Sequence, residues 1–138
     1  MNEIIHLIKG YLGYDTLVIQ KFIGDDKFYG DSILDVEFRN IYDYLLGFQN
    51  PIYPQIEWFK LKLRPMEDLT DEELHSIKNL LIYSDWVHGS NKEIMHVLKE
   101  QIENCEISYE VAEYLHSIHI DYQNLIGRYA IKKDQEND

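Results

Sequence analysis

"IEWFKLKLRPMEDLTDEEL", residues 56–74, changes character in the middle. Its first half reads as a strand. Pro65 cannot donate a ladder hydrogen bond and disfavours helix at Arg64, so the strand ends there. Thr70 and Glu73 then form a capping-box pattern, in which each side chain satisfies a backbone N–H of the other's residue. Leu74, Ile77, Leu80 and Leu81 follow as the apolar face of a helix. Breaker and cap account for the junction without any catalytic chemistry.

Upstream of this junction the sequence reads mainly as strands. Residues 2–11 form a short helix, with Ile4, Leu7, Ile8 and Tyr11 on one face, Asn2 as its cap and Gly13 as its stop. Residues 15–30 read as a hairpin turning at Gly24, Asp25 and Asp26. "SILDVEF", residues 32–38, sets Ile33, Asp35 and Glu37 against Leu34, Val36 and Phe38, the alternation of a half-buried strand. Residues 39–54 fit a short helix or a strand, followed by a loop at Asn50, Pro51 and Pro54.

Downstream the period becomes helical. Ser90 and Glu93 repeat the cap, ahead of Ile94, Val97, Leu98 and Ile102. Ser108 starts a third helix carrying Val111, Leu115 and Ile118 inward. Asp121 caps a brief turn that Gly127 stops. Strands in one half and helices in the other predict an α+β domain: a small antiparallel sheet with a hairpin over about 1–66, about three helices over about 67–133, and a short polar tail. A chain of 138 residues is most simply one domain, with enough length for a core.

Charge narrows the function classes. The chain carries 25 acidic and 13 basic residues, a net of −12. That opposes direct binding to a nucleic-acid backbone, which needs clustered Lys and Arg to displace counterions. It suits a basic protein surface, whose opposite field speeds encounter. The N-terminus lacks the basic start and long apolar run of a signal peptide, and no window reaches the ~18 apolar residues of a membrane span. With Cys105 as the lone cysteine, these features predict a soluble, cytoplasmic protein.

Residue patterns that carry chemistry are thin. Glu-x-x-His occurs at Glu3–His6, Glu72–His75, Glu93–His96 and Glu113–His116, more often than composition predicts. Di-iron bundles use two such pairs. All four fall away from the helices' apolar stripes, where Glu and His collect as ordinary neighbours, and the two further inward Glu residues that a di-metal site needs are missing. His119, close to the end of the third helix, reads as an imidazolium facing the macrodipole. Cys105 has acidic neighbours, which oppose a nucleophilic thiolate. Asp25, Asp26, Asp31 and Asp35 lack calcium-loop spacing. No phosphate loop or nucleophile elbow is present. These readings predict no enzyme activity, no cofactor and no metal. Candidate partner-binding residues are the acidic Asp25, Asp26, Glu67, Asp68, Asp71 and Glu72 together with Trp58 and Trp86, since aromatic anchors with charged rims are common at interfaces.

Two segments also resemble a family. "FKLKLRPMEDLTDEEL" is similar to the K-x-x-LRP-(L/M)-x-x-(L/M)-T-x-E signature of small proteins encoded by phages and prophages of Bacteroidota, and "EYLHSIHIDYQNLIGRYAI" to the H-x-DY-x-x-LI segment that follows in them. Arg128, Tyr129 and Ala130 replace that family's usual Gly-Leu-Ala ending. The resemblance transfers no catalytic residue. It implies a small accessory protein of a mobile element, and such proteins often disable host defence machinery, as anti-CRISPR proteins do. The expectation is a phage or prophage protein that inhibits a host nucleic-acid-guided effector, a CRISPR effector being the most specific target. The alternatives are an accessory module in phage replication or packaging and, from another class, a metal-dependent enzyme built on the Glu-x-x-His pairs.

Overall fold

The computed structural model describes residues 2–22, 24, 29–47, 56–81 and 90–133, with the side chains of residues 2, 3, 22, 29–31, 56 and 57 left aside. It is a mixed α/β fold. Helix α1 (Asn2–Lys9) leads into the hairpin strands β1 (Leu17–Phe22) and β2 (Tyr29–Ile33), then helix α2 (Leu34–Leu45) and the long strand β3 (Ile56–Pro65). A 3-10 turn (Met66–Asp68) precedes α3 (Asp71–Leu80), α4 (Asn91–Glu103) and α5 (Tyr109–Ser117), and the chain returns through β4 (Ile120–Asp121) and β5 (Ala130–Lys132).

β3 organises the sheet. β1 lies antiparallel between β2 and β3, while β4 and β5 both pair with β3 in parallel. The sheet is therefore mixed, not the wholly antiparallel one the sequence predicts. The two C-terminal strands add only five residues, too few to show a period of their own.

The stretch expected to be a strand at residues 32–38 is instead the end of β2 and the first turns of α2. Its alternation is misleading: Val36 is 74% exposed, and the buried residues are Leu34, Ile41 and Leu45, at helical spacing. Ile33 at the N-cap gives no side-chain cap, so no cap signal marks this helix in the sequence. Leu34 N–H instead donates to the Thr16 carbonyl, 2.8 Å away.

Two cores flank the β3 junction. Ile5, Ile8 and Tyr11 pack with Leu34, Ile41 and Leu45 onto Val18, Phe59, Leu61 and Leu63. The second core joins Leu74 and Ile77 of α3, Ile94 and Leu98 of α4, Val111 and Leu115 of α5, and Ile120. Leu80, expected on the inner face of α3, is exposed, and Leu81 fills that place. The fully buried Tyr11 ties the cores together by donating its hydroxyl to the Ile120 carbonyl at 2.7 Å. Among the described residues, no helix is long and apolar enough to cross a membrane.

Candidate functional site

The junction of β3 and α3 is built from the residues of the first motif. Thr70 Oγ1 accepts the Glu73 N–H at 3.2 Å, and Glu73 Oε1 accepts the Thr70 N–H at 2.9 Å, completing the capping box. Glu73 does more than cap. Its two oxygens receive Arg64 in a bidentate pair at 2.8 and 2.9 Å. Arg64 also donates to the carbonyls of Asp68 (2.8 Å) and Ile118 (3.2 Å), so one guanidinium joins β3, the 3-10 turn, α3 and the end of α5. Hydrogen bonding from Arg64, against a smaller effect of burial, holds the Glu73 carboxyl down at about 2.

The second motif is equally structural. Asp121 is buried, and its carboxylate accepts the N–H groups of Gln123 (3.1 Å), Leu125 (2.9 Å) and Ile126 (2.8 Å). That carboxylate holds the turn leading to β5, as its capping role in the sequence implies. His116 packs edge-on against Tyr11 with ring centres 4.7 Å apart, and its Nε2 lies 3.0 Å from the Tyr122 hydroxyl. A Cβ on Gly10 would fall 2.5 Å from the His116 ring, so only glycine admits α1 this close.

His119 departs from its expected role. It lies past α5 in the left-handed region (φ 62°), with Nε2 2.6 Å from the Tyr14 carbonyl and Nδ1 2.8 Å from Lys133 Nζ. A carbonyl only accepts and an ammonium only donates, so the ring is the neutral Nε2–H tautomer. Burial lowers the His119 pKa, in line with that tautomer and against an imidazolium on the helix dipole.

The acidic run of the first motif stays on the surface. Glu67 and Asp68 on the 3-10 turn and Asp71 and Glu72 on the first turn of α3 are all exposed. Among the described residues, none of these four carboxylates is in a salt bridge. They make an acidic shelf at the turn and helix start next to Glu73 in the sequence, and Glu73 is used by the fold itself. Trp58 does not join it: seven residue steps along β3, roughly 23 Å at the usual strand rise, separate Trp58 from Pro65. Asp25, Asp26 and Trp86 lie outside the described residues.

The Glu-x-x-His pairs do not converge. His6, His75 and His96 are exposed on three different helices, and Glu113 accepts the Tyr14 hydroxyl at 3.2 Å. Among the described residues, no group of three or more His, Cys, Asp or Glu side chains is placed to hold a metal ion. Cys105 is exposed at φ 57°, where Glu106 N–H reaches the Gln101 carbonyl and Cys105 N–H the Ile102 carbonyl. That is a Schellman ending of α4, with cysteine in the position usually held by glycine.

Sequence reasoning did not anticipate the Arg64 fork, the Tyr11 bridge or the His119 contacts. Each has a partner far along the chain, and only Arg64, beside the Pro65 breaker, carried a local signal. Comparison with family models, with curated proteins and with solved structures finds no match for this chain.

Proposed function

We propose that this chain is a non-enzymatic binding protein of a phage or prophage that disables a nucleic-acid-guided defence effector of its host through protein–protein contact. The observation that carries this reading is the shelf of Glu67, Asp68, Asp71 and Glu72: four exposed carboxylates close in sequence to a fifth, Glu73, that the fold neutralises with Arg64. Effectors of that kind hold nucleic acid in positively charged channels. An acidic surface is drawn by the same field and can occupy or distort such a channel. The resemblance of residues 59–74 and 113–131 to phage and prophage proteins supplies the target class. Within the two resembling segments Arg64, Glu73, His116, His119 and Asp121 are engaged in the fold, and the exposed carboxylates beside them are what the reading assigns to a partner.

The test is affinity capture from a bacterium that hosts such elements, with the tagged full chain as bait and elution by rising salt. A CRISPR effector or its ribonucleoprotein should be retained at low salt and released as salt rises. A well-expressed bait that retains no defence protein contradicts the reading. Retention of a phage replication or packaging protein moves the assignment to an accessory module.

A further inference from the structure

β3 is longer than the strand on its outer edge. β1 covers one edge from Leu61 back to Ile56, whereas β5 pairs only with residues 61–63 on the other. Residues 56–60 therefore have no partner strand on that side among the described residues.

The direction of their peptide groups follows from the bonds made further along. Leu61 N–H donates to the Tyr129 carbonyl at 2.9 Å, and the Leu63 carbonyl accepts the Lys133 N–H at 2.6 Å. Arg64 N–H points to the opposite side, to the His119 carbonyl at 2.7 Å. Alternate residues of a strand share a direction, so the Phe59 N–H and carbonyl face the open edge.

A groove of about 400 Å³ lies at this edge, beside the turn that leads into β5. Ile4, Tyr44 and Leu45 line it on the side to which Phe59 points, the Tyr44 and Phe59 rings meeting edge-on at 5.6 Å. Trp58 and Lys60 alternate to the other side, with Lys60 Nζ 5.8 Å from the centre of the Trp58 ring and donating to the Arg128 carbonyl. The Arg128 guanidinium stands over Tyr129 at 5.4 Å. Two cations thus flank the groove in a chain of net charge −12, and among the described residues neither is in a salt bridge. The chemistry is the reverse of the acidic shelf at the other end of β3.

We propose that this edge of β3 takes up an extended segment of a partner protein as an added strand in line with β5, and that the segment alternates apolar and acidic residues. Strand addition draws affinity from main-chain hydrogen bonds, here to Phe59, and selectivity from alternate side chains. Apolar side chains of the segment meet Ile4, Tyr44 and Leu45, and acidic ones meet Lys60 and Arg128. A stacked nucleotide fits less well: Phe59 is 5% exposed, so its ring offers no free face to a base.

The probe is a short blocked peptide alternating Val and Glu, titrated into the full ¹⁵N-labelled chain. The Phe59 and Lys60 amides should shift saturably, and Phe59 hydrogen exchange should slow. Replacing Glu by Lys in the peptide, or N-methylating its alternate residues, should each weaken binding by roughly tenfold or more. The N-methyl peptide isolates the main-chain bonds without altering the protein. A Lys60→Glu, Arg128→Glu variant that keeps its dispersed amide spectrum should prefer the Lys peptide. The proposal is overturned by an absence of shifts at millimolar peptide, by equal binding of the N-methylated peptide, by shifts centred elsewhere, by a stronger response to oligothymidylate, or by self-association that already covers the edge. None of these outcomes bears on the acidic shelf, so this proposal and the preceding one fail separately.

Discussion

The segments 64–73 and 116–130 carry the chain's two motifs, and they treat their ionisable groups differently. In 116–130 the groups that bear the motif are engaged within the fold: His116 with Tyr122, His119 with Tyr14 and Lys133, Asp121 with three backbone amides. In 64–73 Arg64 and Glu73 are engaged in the same way, but Glu67, Asp68, Asp71 and Glu72 are left to solvent. The lesson is that recognisable residues are not the same as available ones. On the function proposed above, a partner meets the acidic groups that the fold leaves unused in the first segment.

The sharpest way to break this comparison is to remove an engaged carboxylate. Asp121→Ala leaves three amides of a buried turn without their acceptor, so the denaturant midpoint should fall by the equivalent of about 3 kcal/mol. A loss under about 1 kcal/mol would mean that water replaces the carboxylate and the turn is not held as described.

Next in size is the Arg64–Glu73 pair, which also sets a pH dependence. The Glu73 carboxyl titrates at about 2 in the fold against an ordinary 4.5, so the unfolded chain binds its proton more readily. The pair's contribution is present above pH 4.5 and is lost as pH falls from 4.5 towards 2. Burial lowers the His116 and His119 pKa values from an ordinary 6.5, so they too are proton-free in the fold where the unfolded chain is charged. Their share is complete above pH 6.5 and declines below it. Urea midpoints against pH should show both losses, and Glu73→Gln should remove only the lower one. An unchanged slope below pH 4.5 in that variant would separate Glu73 from Arg64.

A smaller effect has the opposite sign. Cys105→Gly should stabilise α4 by about 0.5–1 kcal/mol, because glycine adopts the left-handed Schellman position without the steric cost a Cβ imposes. Thermal melting measures it, and destabilisation would show that the thiol has contacts of its own.

The parts of the fold legible in the sequence are those fixed by neighbours a few residues apart. Thr70 with Glu73, Ser90 before α4 and Ser108 before α5 cap their helices as read, each through a bond three residues long. Pro65 ends β3 as read. The first half of α2 was hidden because residues 33–38 fit both periods and Ile33 supplies no cap, whereas residues 39–45 already fit a helix as well as a strand. β4 and β5 exist only because β3 offers its backbone, so no local pattern marks them. The acidic shelf was legible as a run. Its association with Trp58 was not sound, because nearness along a strand is not nearness in space.

On the proposed function, the unengaged carboxylates steer a partner to the chain. The most direct test is the association rate between the chain and the effector it captures, measured against ionic strength. The comparison is wild type against Glu67→Gln, Asp68→Asn, Asp71→Asn, Glu72→Gln. Stability should move by less than about 1 kcal/mol, since relief of like-charge repulsion offsets the loss of acidic residues at the start of α3. The wild-type rate should fall as the Debye length shrinks from ~10 Å at 0.1 M salt to ~3 Å at 1 M. The variant should associate more slowly at low salt, with dissociation changed far less, because rim charges steer encounter more than they hold a complex. Equal association rates at low salt would contradict the account and leave the shelf as a solvated surface.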